Sequence, residues 1–224
     1  MKQLIDCLEQ EQTLPRGDWI RLLEDFTPED ATYLCERARH VRQMHYQNRI
    51  FIRGLIEFTN YCKNDCFYCG IRRSNRNAHR YRLSKATILD CCRRGYELGF
   101  RTFVLQGGED GHFTDAVLTD IVHAIRTEFP DCAITLSIGE RSRDSYQQLF
   151  DAGANRFLLR HETFDSTHYA SLHPAGLTAA SRQKCLWDLK EIGYQVGSGF
   201  MVGSPGQTTE NLADDLLFLK KLNP

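Results

Sequence analysis

The sequence lacks the features that would direct it to a membrane or to a polyanion. It has no apolar run near the roughly 20 residues that a membrane-spanning helix needs. Charged residues, Lys2 and Asp6, stand where a signal peptide would have its apolar segment. The net charge of -1 gives no reason to expect nucleic-acid binding from bulk electrostatics. We therefore predict a cytoplasmic protein with no nucleic-acid and no membrane partner.

The nine cysteines do not form the pattern of a disulfide framework. Their number is odd, and a chain of 224 residues buries enough core to be stable without disulfides. In a reducing compartment, scattered cysteines behave as small apolar side chains. Six fit that description: Cys7, Cys35, Cys91, Cys92, Cys132 and Cys185. The other three, Cys62, Cys66 and Cys69, are closely spaced, and no fourth cysteine is near them.

Apolar segments alternate with helix-like ones from residue 49 onward. The strand-like segments are 50–58, 102–106, 132–138, 155–159 and 194–201. The helix patterns are 85–98, 115–128, 143–152, 179–192 and 209–221. Residues suited to helix starts or ends flank them: Ser84, Thr114, Ser142 and Thr178 as N-caps, and Gly99, Gly153 and Gly193 after C-termini. Strands alternating with helices predict right-handed βαβ units and a parallel sheet.

Two regions follow from this pattern. Residues 1–48 are predicted to form an N-terminal helical cap, in which Thr27, Pro28 and the acids after them start a helix that runs to about Gln47. Residues 49–224 are predicted to form an α/β parallel TIM-type (β/α) barrel. Because a closed eight-unit barrel takes about 250 residues, we expect this one to be truncated after about five βα units and incomplete at its C-terminus.

Polar groups follow each predicted strand, where parallel α/β folds bind ligands. The five strand ends are followed by the cysteine loop 62–69 and by segments 106–110, 137–140, 160–163 and 201–206. Thiolates suit zinc or iron–sulfur centres. Structural zinc usually takes four ligands, commonly in CxxC pairs, whereas a cubane cluster held by three cysteines leaves one iron free for a substrate or cofactor. The spacing favours the cluster, with zinc as the alternative.

Several charged residues near these strand ends are candidates for ligand contact, and all except Glu109 also have a purely structural interpretation. Glu109 follows a glycine pair that lets a backbone approach a ligand, and its carboxylate can accept from an ammonium group. Arg160 and Glu162 either face the site together or form a surface ion pair. Arg182, in the first turn of the helix pattern 179–192, either reaches a ligand carboxylate or lies on the helix surface. A basic run either receives an anionic ligand or lies in a solvated loop: Arg72, Arg73, Arg76, Arg80 and Arg82.

These motifs resemble a known family. The CxxxCxxC loop with an aromatic residue before its third cysteine is similar to the signature of the radical S-adenosylmethionine (SAM) superfamily. Longer blocks resemble one group of that superfamily, the HydE-type maturases of the [FeFe]-hydrogenase H-cluster: 53–58, 69–73, 105–110, 158–163 and 199–208. The resemblance runs from about residue 10 to residue 224.

The resemblance implies a cofactor for each set of residues. Cys62, Cys66 and Cys69 would ligate a [4Fe-4S] cluster, whose open iron would chelate the amino and carboxylate groups of SAM. The other positions implied to contact SAM are Gly107, Gly108 and Glu109 at the amino group; Ser137, Glu162 and Arg182 as polar lining, with Arg182 on the carboxylate; and Tyr68 and Met201 beside the adenine or adenosyl portion.

The resemblance also implies a reaction and partners. Reductive cleavage of SAM would release methionine and a 5'-deoxyadenosyl radical. That radical would act on an iron–cysteine carbonyl/cyanide precursor during assembly of the diiron subcluster, beside other hydrogenase maturases and an electron donor such as flavodoxin or ferredoxin. Two alternatives stay open: another radical SAM enzyme of the biotin synthase or methylornithine synthase type, and a truncated, non-catalytic cluster-binding scaffold.

Overall fold

The helices begin at side chains that accept hydrogen bonds from their first backbone amides. In the computed structural model, which describes residues 1–224, the Thr27 hydroxyl accepts from the Asp30 amide, and the Asp30 carboxylate accepts from the Thr27 amide in return. The four predicted N-caps each accept from the amide three positions on: Ser84, Thr114, Ser142 and Thr178. The predicted helix starts are therefore confirmed, and local side-chain chemistry explains them.

The chain folds into nine helices and five strands. In chain order they are α1 (Lys2–Glu11), α2 (Arg16–Asp25), α3 (Pro28–Tyr46), β1 (Gly54–Thr59), α4 (Lys85–Glu97), β2 (Thr102–Gly107), α5 (Asp115–Glu128), β3 (Ala133–Ser137), α6 (Arg143–Asp151), β4 (Arg156–Leu158), α7 (Ser166–Leu172), α8 (Ala179–Ile192), β5 (Gln195–Gly197) and α9 (Thr209–Leu222).

The five strands form one parallel sheet in the order β1-β2-β3-β4-β5. Sequential parallel strands with helices between them are the arrangement of the first five units of a TIM-type barrel. The predicted α/β class and the partial barrel are therefore confirmed. The sheet is open, with β1 and β5 at its edges.

Four predicted strands are longer than the observed ones, and the segment 132–138 exceeds β3 by one residue at each end. The segment 50–58 pairs only from Gly54, which lies opposite Phe103 of β2. The segments 155–159 and 194–201 shrink to β4 and β5, because their ladder contains only three residues of each strand. An apolar run forms a strand only where a neighbour supplies hydrogen bonds, and the sequence pattern does not show where that neighbour stops. Helix α7 was not predicted at all.

Alternate side chains on the strands face opposite sides of the sheet. One set packs with the helices into the main core, in which each large side chain contributes roughly 1.5–3 kcal/mol: Ile56, Phe58, Phe103, Leu105, Ile134, Leu136, Phe157 and Val196. The other set includes a row in mutual register on the opposite face: Leu55, Val104, Thr135, Arg156 and Gln195. The core therefore fixes the strands from one side and leaves their carboxyl ends free to carry a site.

The N-terminal helices have a small core of their own, formed by Ile5, Leu14 and Leu22. A two-point ion pair joins α2 to α9, with Arg16 Nε 2.7 Å and Nη2 3.0 Å from the two carboxylate oxygens of Asp214. The division into a cap at 1–48 and a barrel at 49–224 stays a prediction. None of the helices combines the length and the apolar character needed to cross a membrane.

Candidate functional site

A cavity of about 240 Å³ lies at the carboxyl ends of the strands. It brings together every predicted site residue except Met201: Cys62, Cys66, Tyr68, Cys69, Gly107, Gly108, Glu109, Ser137, Glu162 and Arg182. Arg160 lines it as well, and so do residues that were not predicted as ligand contacts: Asn64, Ile71, Gln106, Gly139, Leu158 and Leu159. Residues from β1 to α8 thus meet around one space, as expected for strand ends of a parallel sheet.

Met201 lies beside this cavity without lining it. Its amide donates to the Glu162 carbonyl at 2.9 Å, and its carbonyl accepts from the Gln207 side chain at 2.6 Å. The Gln207 amide oxygen in turn accepts from the Gly203 amide at 2.7 Å. Met201 therefore helps to position the Glu162 backbone, while its role beside the adenosyl portion of SAM stays a prediction.

The cysteine loop is held by backbone hydrogen bonds to two other parts of the site. The Lys63 amide donates to the Glu109 carbonyl at 2.9 Å, and the Phe67 amide donates to the Leu172 carbonyl at 3.0 Å. One contact comes from the loop after β2 and the other from the C-terminal end of α7. The spacing of the thiols is thus set by the surrounding fold as well as by the loop itself.

Two arginines of the basic run, Arg80 and Arg82, bind other groups of the protein itself. Arg80 donates to the carbonyls of Ile71 at 2.9 Å and Arg72 at 2.7 Å, and also to the carbonyl of Asn60. It therefore ties the segment after Cys69 to the end of β1. Arg82 is paired with Asp110, so neither arginine is free to receive an anionic ligand. Arg73 and Arg76 are exposed, which leaves the solvated-loop interpretation for that part of the run.

Asp110 accepts hydrogen bonds from three directions around the cysteine loop. Arg82 donates to it at 2.6 and 2.9 Å, the Thr59 hydroxyl at 2.8 Å and the His112 amide at 3.0 Å. Burial raises the pKa of this carboxyl, but the donors outweigh burial and lower the pKa to about 2. Asp110 is therefore ionised at neutral pH, and it joins the end of β1 to the segments before α4 and after β2.

The glycine pair after β2 permits close packing of the cysteine loop. A Cβ on Gly108 would lie 2.3 Å from the Tyr61 carbonyl oxygen and 2.7 Å from the Cys62 Cβ. A Cβ on Gly107 would lie 2.7 Å from the Thr59 Cγ2. The sequence interpretation was that a ligand comes close to this backbone. Both glycines do line the cavity, but the close approach seen in the structure is that of the chain leading into Cys62.

Glu109 projects from the same turn and is fixed at both carboxylate oxygens. The Glu140 amide donates to Oε1 at 3.0 Å, and the Lys63 ammonium lies 3.1 Å from Oε2. The carboxylate occupies the space that a side chain at Gly139 would take, since a Cβ there would lie 2.2 Å from Glu109 Cγ. Gly139 also has φ +77°, which favours glycine. The turn after β3 thus leaves space for the Glu109 side chain and donates a hydrogen bond to it.

Arg182 is a buried cation at the cavity wall, so the helix-surface interpretation is wrong. Its Nε lies 2.8 Å from Glu140 Oε1, but neither atom makes a hydrogen bond of acceptable geometry. Burial lowers the pKa of the guanidinium, and the nearby Tyr169 and Glu140 outweigh this effect and raise it. Arg182 therefore remains charged and has donor capacity left for an anionic ligand.

Glu162 is the second charged group that faces the cavity, and it is half-buried. Its φ of 66° is unusual for a residue with a side chain. A bridge to Phe200 holds the backbone there. Burial raises the pKa of the carboxyl, opposed by Arg160 and then Arg182. The Oε2 atom has no hydrogen-bond partner, and no ion pair joins Glu162 to Arg160, so the carboxylate can accept from a ligand.

Sequence reasoning missed helix α7 and the histidines around it. Asp165 caps α7 by accepting from the His168 amide at 2.7 Å. The helix has only seven residues, which is too short for a clear apolar period, although Asp165 is a usable N-cap signal. Three histidines in or near α7 are buried and hydrogen-bonded: His161, His168 and His173.

The residues around the cysteines fit an iron–sulfur cluster better than a single metal ion. No group of three or more His, Cys, Asp or Glu side chains is close enough together to hold one ion. In a cubane each thiolate binds a different iron, so the sulfurs need not converge on one point. Burial, and then the neighbouring Cys62, raise the pKa of Cys66 to about 11. A cationic metal centre would overcome this and bind the thiolate form. The unpartnered Arg182 and Glu162 atoms suit a charged ligand beside the cluster.

Comparisons with known proteins agree with this site. The sequence model of the radical SAM superfamily matches residues 56–219. The chain is 43% identical, over 84% of its length and 53% of the relative, to the [FeFe] hydrogenase maturase subunit HydE of Thermotoga maritima. It is 30% identical to the 3-methylornithine synthase of Methanosarcina acetivorans, over 94% of this chain and 60% of that one.

A solved structure has a closely similar fold. The crystal structure of methylornithine synthase superposes with a TM-score of 0.89 at 27% identity, covering 99% of this chain and 65% of that one. The chain spans 53% and 60% of the two curated relatives named above. The family match covers well over half of the present sequence and includes the three cysteines and the cavity residues. The chain therefore belongs to the radical SAM superfamily, whose members use a [4Fe-4S] cluster and S-adenosylmethionine.

Proposed function

We propose that this chain carries the cluster- and SAM-binding part of a radical SAM enzyme that acts in assembly of the [FeFe]-hydrogenase diiron subcluster. One observation carries the proposal: three thiols line one cavity together with a buried arginine and two carboxylates. The 43% identity to HydE supports the maturase assignment within the superfamily.

Each group at the cavity has a separate task in this proposal. Cys62, Cys66 and Cys69 hold the cluster through three of its irons. Arg182 binds the carboxylate of SAM, because its guanidinium is charged, buried and not fully hydrogen-bonded. Glu109 accepts from the amino group of SAM. The chemistry supplied by the bound cluster is one-electron reduction of the sulfonium, which releases methionine and a 5'-deoxyadenosyl radical.

The remaining contacts orient the nucleoside end of SAM. Ser137 and Glu162 offer a hydroxyl and a carboxylate at the ends of neighbouring strands. Tyr68 presents an aromatic ring between the second and third cysteines, and Met201 follows β5 with its amide hydrogen-bonded to the Glu162 carbonyl. Polar groups for the ribose and apolar surface for the adenine are what binding of an adenosyl group requires.

The substrate and partners follow from the similarity to HydE. The substrate is a small iron–cysteine carbonyl/cyanide complex, and the partners are other hydrogenase maturases and a flavodoxin- or ferredoxin-type electron donor. The thiols require a reducing compartment to remain free for iron, so we place the protein in the cytoplasm. Restoration of hydrogenase activity in an extract that lacks this maturase tests the assignment, and absence of restoration by a protein that cleaves SAM would contradict it.

A second candidate activity is that of a methylornithine synthase. Its support is the 30% sequence identity to 3-methylornithine synthase and the TM-score of 0.89. Mass spectrometry of reaction mixtures for 3-methylornithine separates the two. A third candidate, a non-catalytic scaffold, predicts a bound cluster and no SAM cleavage at all.

The test of the common step is production of 5'-deoxyadenosine. The protein is reconstituted anaerobically with iron and sulfide and then given SAM and dithionite. We expect 5'-deoxyadenosine from the reconstituted chain and none from a Cys66→Ala variant. Iron incorporation without product would support the scaffold and contradict the enzyme, and tightly bound zinc instead of iron would contradict both.

A further inference from the structure

The C-terminal end of α7 contacts the cysteine loop from outside the predicted site. The Leu172 carbonyl accepts from the Phe67 amide, and the next residue, His173, lies 3.0 Å through Nε2 from the Tyr68 hydroxyl. Tyr68 and His173 are 105 positions apart in the chain. The loop between Cys66 and Cys69 is therefore attached to α7 by one backbone and one side-chain hydrogen bond.

The hydrogen bonds of His173 fix the direction in which protons are donated. Nδ1 lies 2.8 Å from the Tyr169 carbonyl, which can only accept, so Nδ1 carries the proton. The ring is almost fully buried, and this burial lowers the pKa of the imidazole. In the neutral ring Nε2 is then an acceptor, and the Tyr68 hydroxyl donates to it.

His173 also contacts Tyr169, which lies near Arg182 at the cavity. The imidazole stacks on the Tyr169 ring, with centroids 3.8 Å apart and planes at 13°. The Tyr169 hydroxyl, at the far end of that ring, has no hydrogen-bond partner of acceptable geometry. Burial raises its pKa and the neighbouring Arg182 opposes the effect. Tyr68, His173 and Tyr169 thus contact one another in turn, and Arg182 lies near enough to Tyr169 to affect its pKa.

We propose that His173 is a positioning residue for the cluster: through Tyr68 it holds the segment between Cys66 and Cys69 in the orientation that places the thiols and Arg182 around one SAM molecule. The effect of His173 on SAM binding rests on the proposed function, whereas its effect on the cysteine loop follows from the contacts alone. His173 touches neither the thiols nor the cavity, so its effect is transmitted by the Tyr68 hydrogen bond.

Hydrogen exchange of the metal-free protein tests the loop directly. His173→Phe keeps a ring to stack on Tyr169 but removes the acceptor, and Tyr68→Phe removes the same hydrogen bond from the other side. We expect both variants to exchange the amides of residues 66–70 about fivefold faster, as loss of one neutral hydrogen bond would cause. The double variant should equal either single variant. His173→Gln, whose carbonyl can accept from Tyr68, should restore slow exchange.

A matched control lies within α7, five residues before His173. His168 is also buried, and both of its ring nitrogens are hydrogen-bonded, to Thr163 and Ser204. His168→Phe should leave exchange of residues 66–70 unchanged. Equal acceleration in His168→Phe would mean that α7 is generally loosened and would overturn the proposal. Wild-type exchange in both His173→Phe and Tyr68→Phe would also overturn it, and Tyr68→Phe keeps the test valid if the histidine variant fails to fold.

The SAM part is tested in the reconstituted protein by electron paramagnetic resonance of the reduced cluster. We expect SAM to change the spectrum of the wild-type protein. The variants His173→Phe and Tyr68→Phe should need about a fivefold higher SAM concentration for the same change. An identical SAM requirement in all three proteins would overturn the proposal. A wild-type spectrum that does not respond to SAM would instead contradict the proposed function, while the exchange result would still stand for the loop.

Discussion

Arg182 Nε lies 2.8 Å from Glu140 Oε1 with both side chains largely buried, yet neither atom completes a hydrogen bond. The pair balances charge within the cavity wall and leaves donor capacity unused. A site that binds a carboxylate ligand needs both a partial counter-charge and free donors. A buried guanidinium without any partner would be too unfavourable.

Arg182→Lys is predicted to weaken SAM binding while preserving the fold. Lysine keeps the charge beside Glu140 but cannot offer the two-donor geometry that suits a carboxylate. We expect the dissociation constant of SAM, measured by equilibrium dialysis of the reconstituted protein, to rise about 10-fold or more. The matched control is Arg143→Lys, because Arg143 pairs with Glu191 at the surface. Wild-type affinity in the Arg182 variant would contradict the assigned role.

Gly108→Ala is predicted to prevent normal cluster assembly. The added Cβ would collide with the Tyr61 carbonyl and the Cys62 Cβ, and backbone cannot give way as a flexible side chain does. Iron per chain after reconstitution should therefore fall well below that of the wild type. Gly70→Ala provides the control, since nothing lies within 4 Å of a Cβ at Gly70, next to Cys69. Full iron loading of Gly108→Ala would show that the close approach is not required.

Cys66→Ser is predicted to lose the cluster, whereas Cys92→Ser should retain it. Cys66 lines the cavity with the two other loop cysteines, and Cys92 is buried in the main core away from the cavity. Iron and sulfide analysis after anaerobic reconstitution gives the answer. The Cys92 variant controls for general damage from a buried thiol-to-hydroxyl change. A complete cluster in the Cys66 variant would contradict the ligand assignment.

Asp110 is predicted to give the metal-free protein a distinct acid dependence. Its pKa of about 2 in the folded chain is below the ordinary value of 3.8, so its stabilising contribution is present above pH 3.8 and is lost as the pH falls towards 2. Asp110→Asn should lower the free energy of unfolding by about 1–2 kcal/mol at pH 7. The difference in free energy of unfolding between wild type and variant should become smaller below pH 4. Urea unfolding at a series of pH values measures it.

The control for that series is Asp90→Asn, because Asp90 forms an exposed ion pair with Arg93. Exposed pairs contribute about 0–1 kcal/mol, so this variant should follow the wild-type curve. A constant gap between wild type and Asp110→Asn down to the lowest pH would mean that the Asp110 carboxyl is not held ionised by Arg82 and Thr59.

Features that depend on a few neighbouring residues were predictable from the sequence. Ser84 and Thr178 cap their helices as predicted, because an N-cap needs only a side chain and an amide three positions away. The parallel order followed from the alternation of strands and helices. The cavity residues followed from the rule that ligands lie at the carboxyl ends of parallel strands, together with the family resemblance.

Features that depend on distant partners were not predictable. Nothing near His173 in the sequence shows that it accepts from Tyr68, and nothing near Asp110 shows that Arg82 reaches it. The glycine pair was correctly placed at the cavity, but its close neighbour is the chain before Cys62, which only the folded structure reveals. The lengths of β4 and β5 likewise depend on where the adjacent strand ends.

The central claim is that the three thiols hold a cluster whose open iron faces SAM. The most direct measurement is electron–nuclear double resonance of the reduced, reconstituted protein with SAM labelled by ¹⁵N at its amino group and ¹⁷O at its carboxylate. We expect hyperfine coupling of both labels to the cluster, reduced in Arg182→Lys and absent in Cys66→Ser. A cluster that forms fully but shows no coupling to either label would contradict the claim.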